Sequence, residues 1–381
     1  MNETPKILHC HSTFSAGGKE VRCARLINAF GKGLSHHIVS AMPDRMGASE
    51  LIDRTQTKVT YPTNFPSLKG SPTPGRLATL AQAMKPYDLI LTYNWGAMDA
   101  VMAHTIFGRH YGLAPLIHHE DGFNEDEADQ LKWTRNWFRR IALTYTDALV
   151  VPSTTLETIA VDIWKQPRER VVRIPNGIDT TAFARKPDPS RLRLVKRESE
   201  RWVGTLAGLR PVKQLPLLVE AVRDLPENWH LVIFGEGEEK AVIQQAALDH
   251  DISHRVHLPG EIDDPSAVIG LFDIFALSSR SEQFPLSLVE AMAASLPVVA
   301  PDVGDIRSTV AERNRAFIAT PNDAGALGAL LAELAEAPEL REEIGRENRE
   351  KATRLFDVSA MVKRYSDLYS GALGEKWGAP A

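Results

Sequence analysis

Short apolar runs alternate with longer stretches of helical periodicity along the whole chain, which is the pattern of βαβ units and parallel sheets. In the first half the strand-like runs are Lys6–His11, His37–Ala41, Tyr87–Thr92, Pro115–His119 and Ala148–Pro152. In the second half they are Trp202–Leu206, His230–Phe234, Arg255–Leu258, Ile274–Leu277 and Pro297–Ala300. Two sets of five predict an α/β protein of two doubly wound domains with room for a cleft between them. A strand-like Val171–Ile174 runs into Ile174-Pro175-Asn176-Gly177-Ile178-Asp179, a turn followed by a polar, basic stretch, which places the junction there. The expected division is 1–177 and 178–358, and the segment 359–381 carries a last helix long enough to pack back on the first domain.

Ligands of doubly wound sheets bind beyond the carboxyl ends of the strands, so the loops at 12–18, 93–96, 120–124, 207–213, 235–238 and 278–287 are where chemistry is expected. Composition narrows its kind. The 381 residues are 43% apolar and 24% charged with a net charge of −5, which excludes a disordered chain and gives no general nucleic-acid binder its basic domain. Charge is unevenly spread: residues 1–175 hold 20 Lys+Arg against 17 Asp+Glu, and the remainder 24 against 32. The two cysteines, Cys10 and Cys23, suit buried inert thiols in a reducing compartment. The start carries no apolar core of a signal peptide and no run is long enough to span a membrane, so the expected location is cytoplasmic.

The most informative segment is Ser281-Glu282-Gln283-Phe284-Pro285-Leu286-Ser287-Leu288-Val289-Glu290-Ala291-Met292-Ala293-Ala294, ahead of a strand. Pro285 suits a helix's first turn, which leaves Glu282 in the preceding loop and Glu290 one to two turns inside. The N–H groups of Leu286, Ser287 and Leu288 then open an anion site between two carboxylates up to ~12 Å apart. A sugar, a diphosphate and a ribose fit that layout. Two solvated acids complementing a helix dipole would also give it.

Glu282 and Glu290, separated by seven residues, with Phe284-Pro285 between them, resemble the signature of retaining glycosyltransferases with two Rossmann-like domains facing a cleft, the family-4-like GT-B fold. Further segments match in order: Gly17-Gly18-Lys19-Glu20, Ile174–Asp179 with Phe183, Val203-Gly204-Thr205 leading to Lys213, Phe234-Gly235-Glu236-Gly237, and Gly260. The resemblance implies transfer of a sugar from a nucleotide-diphosphate donor to an acceptor hydroxyl on the same face, with no obligatory metal or other cofactor. It gives Glu282 the donor sugar's hydroxyls, Glu290 the ribose and Lys213 the diphosphate, with Phe284, Pro285 and the glycines 17, 18, 204, 235 and 237 lining the donor site. It implies a saccharide or lipid-linked saccharide acceptor in envelope or exopolysaccharide assembly, bound by the amino-terminal domain, with the enzyme cytoplasmic or peripheral at the cytoplasmic membrane face.

Three positions depart from the pattern. Gly208 stands where the family carries an arginine, so that either Arg210, two residues later, replaces it from a shifted loop or the site runs on one cation, the former being favoured; Gln283 replaces a glycine beside the sugar; and Ser295 replaces a turn glycine. In the amino half, His119 and Asp121 are nominated together for the acceptor side, with Asn94, Trp95 and Glu120 beside them.

Other features carry weaker readings. His9-Cys10-His11 with His118 and His119 offers a zinc set of the amidohydrolase kind, and a non-catalytic sugar-nucleotide-binding protein on the same fold is the other alternative. Asp249-His250-Asp251 reads as surface. Asn124-Glu125-Asp126-Glu127 suits a helix start, with Leu131, Phe138, Ile141 and Tyr145 as its core stripe. Trp133 and Trp137 beside Lys132 and Arg135 are expected to pack, a membrane surface being the alternative.

Overall fold

The computed structural model describes residues 4–123, 127, 130–192 and 194–378, so Asn124, Glu125 and Asp126 of the expected helix start lie outside the described residues. The chain divides into two units, Met1–Pro175 with Met361–Ala381, and Asn176–Ala360.

The first unit holds β1 (Lys6–His11), β2 (Ser35–Ser40), β3 (Lys58–Thr60), β4 (Leu89–Tyr93), β5 (Leu116–His119), β6 (Ala148–Val151) and β7 (Val171–Arg173). They form one parallel sheet in the order β3-β2-β1-β4-β5-β6-β7. The second unit holds β8 (Arg201–Leu206), β9 (Trp229–Phe234), β10 (Val256–Gly260), β11 (Ile274–Ala276), β12 (Val298–Pro301) and β13 (Ile318–Ala319). Their order, β10-β9-β8-β11-β12-β13, is also parallel. Strand order reverses between β1 and β4 in one sheet and between β8 and β11 in the other, the switch points at which such sheets bind ligands.

Ten strands and the Val171 segment follow from the apolar runs because central parallel strands are covered on both faces: all of β4, β5 and β6 is buried. Two strands carry no such run. Lys58–Thr60 is an edge strand with both ends exposed, and Ile318–Ala319 is only two residues long.

In the second unit alternate residues feed opposite layers. Val203, Leu231, Ile233 and Ile274 pack under the helices Leu215–Val222 and Ala324–Glu336. Trp202, Val232, Phe234 and Phe275 pack with Leu288 and Met292 of the helix Leu286–Ala293. Gly204 belongs to this second layer: a Cβ there would come within 2.2 Å of the Phe272 ring. That packing accounts for the glycine, which lies within β8 and not in a ligand loop, correcting its assignment to the donor site. Asn314 and Asn348 fix the turn behind the site helix. Asn348 Nδ2 donates to the Leu296 carbonyl (2.9 Å) and to Asn314 Oδ1 (2.6 Å), which also accepts from the Val298 amide (2.9 Å). Ser295, in that turn, sits at φ 62°, a conformation a glycine would adopt without cost.

In the first unit the last helix, Val358–Leu373, is anchored through Tyr369, whose hydroxyl meets His119 Nε2 at 3.0 Å; His119 Nδ1 meets the Thr92 carbonyl at 3.2 Å. His9 joins His36 (2.9 Å) and the Tyr93 hydroxyl (3.2 Å) beside it. Burial pushes His36 and His119 down to about 3. No helix among the described residues is long and apolar enough to cross a membrane.

Two outcomes follow. Gly204→Ala overpacks the Phe272 side of the sheet and should cost about 1–3 kcal/mol, read from the urea midpoint. Below about pH 6.5 the unfolded chain takes up protons that His36 and His119 refuse in the folded state, so stability is whole at neutral pH. It should fall by about 1.4 kcal/mol per pH unit for each of them as pH drops from 6.5 towards 3. Urea midpoints that stay flat across that window would contradict the buried neutral histidines.

Candidate functional site

The site-forming loops of the second unit follow β8, β9, β11 and β12. The loop after β8 ends in a tight turn, Pro211–Lys213, and Gln214 leaves it at φ 46°. The loop after β11 runs alongside: the Arg280 amide donates to the Val212 carbonyl (2.9 Å), and the Ser278 hydroxyl donates to the Lys213 carbonyl (2.8 Å). These straps bring Lys213 Nζ to 2.5 Å from Glu282 Oε1, which also accepts from the Ser279 hydroxyl at 2.7 Å. Lys213 and Glu282 are thus partners of each other in this ligand-free state, with 17% and 10% of their side chains exposed.

Pro285 is the residue before the helix, at φ −70° and ψ 115°, so the helix starts at Leu286, one residue later than the sequence suggests. No side chain caps that start, which leaves the amides of Leu286, Ser287 and Leu288 aimed out of the helix end. Glu290 lies one turn inside, and Phe284 packs edge-on against Phe356 (5.4 Å). The Oε1 atom of Gln283 is buried and has no hydrogen-bond partner.

Arg210 is exposed, and its Nε lies 3.4 Å from the point a Cβ of residue 208 would occupy. Its guanidinium therefore stands over Gly208, which is where a substitute for the absent arginine has to reach. Gly235 and Gly237 are required by packing, whatever they bind. A Cβ on Gly235 would sit 1.9 Å from the Ala207 carbonyl oxygen, and one on Gly237 2.3 Å from that of Leu209. Both adopt φ values, 143° and 157°, that favour glycine. They let the loop after β9 interlock with the loop after β8, a packing reason for both glycines that stands beside their assignment to the donor site.

In the first unit the nominated residues are drawn together but are occupied. His119 is 1% exposed with both ring nitrogens engaged, so it cannot touch a substrate. Asp121 binds Arg22 through both oxygens, one at 2.8 Å; burial pushes its carboxyl up, but the guanidinium holds it below the ordinary value. Its amide donates to Asn94 Oδ1 (2.8 Å), which spends that side chain on joining the loops after β4 and β5. Glu120 is fully buried and accepts from Arg139 Nε at 3.1 Å. The Trp95 ring carries the guanidinium groups of Arg135 (4.9 Å) and Arg139 (5.0 Å).

Gly17 and Gly18 do open the helix Gly18–Phe30, as the sequence suggests. Glu20 Oε2 lies 2.9 Å from where a Gly17 Cβ would stand, which explains the glycine, and Glu20 is paired with Lys19. The sequence reasoning missed Ser278, Ser279 and Arg22; the serine pair directly after β11 was the available signal for the first two.

Of the zinc set, His9 and His11 come together with Cys23, their ligand atoms within 4.8 Å of one another. His118 and His119 do not join them, being bound to the Thr92 hydroxyl and carbonyl. Asp249 ends the helix Lys240–Asp249 on the side away from the strands' carboxyl ends and holds Gln245 (2.8 Å), as a surface residue does.

Two family models match the chain, Glycosyltransferase Family 4 over residues 16–182 and Glycosyl transferases group 1 over residues 188–351. Among similar proteins are the N-acetyl-alpha-D-glucosaminyl L-malate synthase of Bacillus anthracis, 24% identical over 61% of this chain and 62% of its own length. Another is the phosphatidyl-myo-inositol mannosyltransferase of Mycolicibacterium smegmatis, 29% identical over 53% of each. The chain thus spans under two thirds of these relatives. The structure of Anabaena Alr3699/HepE in complex with UDP matches with a TM-score of 0.81 at 21% identity, covering 96% of this chain and all of that one. The apo form of the lipopolysaccharide outer core galactosyltransferase WaaB matches at 0.70 with 15% identity, over 96% and 99%. These matches do not favour the amidohydrolase or the non-catalytic reading, and with the paired glutamates in place the chain belongs to the family-4-type glycosyltransferases of the GT-B fold.

Proposed function

We propose that the protein is a retaining glycosyltransferase. It moves a sugar from a nucleotide-diphosphate sugar to a hydroxyl of a saccharide or lipid-linked saccharide in envelope or exopolysaccharide assembly, working at the cytoplasmic face of a membrane. The second unit binds the donor and the first the acceptor. The observation that carries this reading is the uncapped helix start behind Pro285, standing at the switch point of the second sheet with the Lys213–Glu282 pair before it and Glu290 one turn inside.

In the reaction the bond from the anomeric carbon to the leaving phosphate oxygen breaks and a bond to the acceptor oxygen forms on the same face. The acceptor's proton passes to the departing phosphate. Negative charge gathers on that phosphate, so fixed donors aimed there contribute most to the rate. Lys213, Arg210 and the amides of Leu286, Ser287 and Leu288 are those donors. Without ligand, Glu282 and Lys213 neutralise each other; donor binding exchanges this contact for two others, the carboxylate turning to sugar hydroxyls and the ammonium to the diphosphate. Gln283 offers its partnerless buried carbonyl oxygen to a further hydroxyl, which gives the departure from glycine a part in sugar choice. Because the HepE neighbour is described in complex with UDP and with UDP-glucose, uridine donors are the first to test.

Glu282→Gln and Lys213→Ala should each lower turnover by ~10²-fold or more in a donor-consumption assay, and near-normal rates would remove these residues from the mechanism. Arg210→Ala should cost roughly 10–100-fold, the worth of a charge-assisted contact. Adding Gly208→Arg to that variant should restore most of the loss if the two positions serve one phosphate. Chelation with EDTA should leave the rate unchanged.

A further inference from the structure

The helix Trp133–Ala142 is turned the wrong way for a soluble protein. Two of its three arginines face inward: Arg139, fully buried, reaches Glu120 (3.1 Å) and Glu127 (3.4 Å), and Arg135 reaches Glu127 (2.8 Å). Phe138 and Asn136 complete the inner side, against Trp95 (5.6 Å) and the indole N–H of Trp164 (3.0 Å). Left outside, with Thr134 and Arg140, are Trp133, Trp137 and Ile141, at successive spacings of four, exposed by 73%, 54% and 53%. Tyr145 in the following turn is 52% exposed. Ile141 and Tyr145, expected from periodicity to be core, are therefore surface, and the tryptophans expected to pack do not.

The patch continues onto the neighbouring helix Met98–Tyr111. Arg109 places its guanidinium 5.2 Å from the Tyr145 ring, and Ile106, one turn away on the same side, is 54% exposed. Contiguous exposed aromatic and aliphatic groups of this extent mark an interaction surface. The choice of partner follows from charge. Two of the exposed rings carry an exposed arginine, Arg140 over Trp137 (5.1 Å) and Arg109 over Tyr145. Residues 131–145 contain four basic side chains and no acidic one, on a chain whose net charge is −5. Amphipathic indole and phenol rings beside guanidinium groups suit the boundary between acyl chains and anionic headgroups.

We infer that the outward face of the Trp133–Ala142 helix, with Tyr145, Ile106, Arg109 and Arg140, docks the first unit on an anionic phospholipid bilayer. This deepens the proposed membrane setting of the reaction but needs neither donor nor acceptor to be tested. The full chain is mixed with vesicles of phosphatidylcholine alone, or of equal parts phosphatidylcholine and phosphatidylglycerol, and floated on a density gradient. The chain should float with the anionic vesicles, and its tryptophan fluorescence should shift to shorter wavelength. The double variant Trp133→Ser/Trp137→Ser should lose binding at least ten-fold while keeping its circular dichroism and its thermal shift with UDP. Arg109→Ala and Arg140→Ala should each weaken binding roughly five-fold, and raised salt should weaken it further.

Equal flotation of the double variant and the parent chain would overturn the inference. So would a parent chain that ignores the vesicles and forms dimers which the double variant abolishes, since the face would then belong to a second copy. A chain that floats but transfers no sugar would leave this inference standing and fail the proposed function; the converse result would do the opposite.

Discussion

Glu282 accepts hydrogen bonds from Lys213 and Ser279 on the loops after two adjacent strands, and the donor-side geometry depends on that convergence. An acid and a base only partly exposed to water must hold each other or be hydrated, and here three loops are packed tightly enough to leave them little water. Gly304 presses against the Glu282 carbonyl, where a Cβ would stand 2.0 Å away, just as Gly235 and Gly237 press against Ala207 and Leu209. The loops after β8, β9, β11 and β12 therefore meet backbone to backbone. The glycines act on the site at one remove, by letting carbonyl oxygens come close enough to fix Lys213 and Glu282.

The first unit solves a different electrostatic problem. Its carboxyl edge is crowded with charge, but nearly all of it is matched within the chain: Arg22 with Asp121, Lys19 with Glu20, Arg139 with Glu120 and Glu127. A buried charge is tolerable only when paired in this way. The excess of basic residues in this half is consequently no measure of an exposed positive surface at the strand ends. Among the basic residues left exposed, Arg109 and Arg140 lie over the Tyr145 and Trp137 rings on and beside one helix. An acceptor at this edge would meet a pre-neutralised surface, better suited to hydroxyl-rich ligands than to strongly anionic ones.

Parallel strands covered on both faces write themselves as apolar runs, so Leu89–Tyr93 or Ala148–Val151 could be placed from the sequence, whereas Lys58–Thr60 at a sheet edge could not. The helix start at Pro285 was legible because proline, the flanking glutamates and the following strand are local signals. Residues whose roles depend on distant partners were misread. His119 is tied to Tyr369, 250 residues away, and nothing near it in sequence says so. A glycine announces close approach but not what approaches: beside Gly17, Gly235 and Gly237 stand Glu20 and two carbonyl oxygens, which the sequence around them does not reveal. Periodicity on the Trp133 helix put Phe138 inside correctly but grouped it with Ile141 and Tyr145, which the structure turns outward.

That outward turn has a thermodynamic side. Burying Arg139 between Glu120 and Glu127 gains no more than well-packed apolar groups would, because desolvation of the three charges offsets their attraction. Turning Trp133, Trp137 and Ile141 inward instead would bury hundreds of Å² of apolar surface, by the ordinary size of such side chains, and remove an aggregation-prone patch. Folding alone therefore does not account for the orientation. A bilayer restores the balance, since the same rings leave water on docking while the arginines stay paired inside. The second unit shows the same logic on a smaller scale: Lys213 and Glu282 satisfy each other without ligand, and a donor that brings both a diphosphate and sugar hydroxyls offers each a replacement at once. In both units a contact that is only adequate in the isolated protein is the one that an incoming surface or substrate can improve.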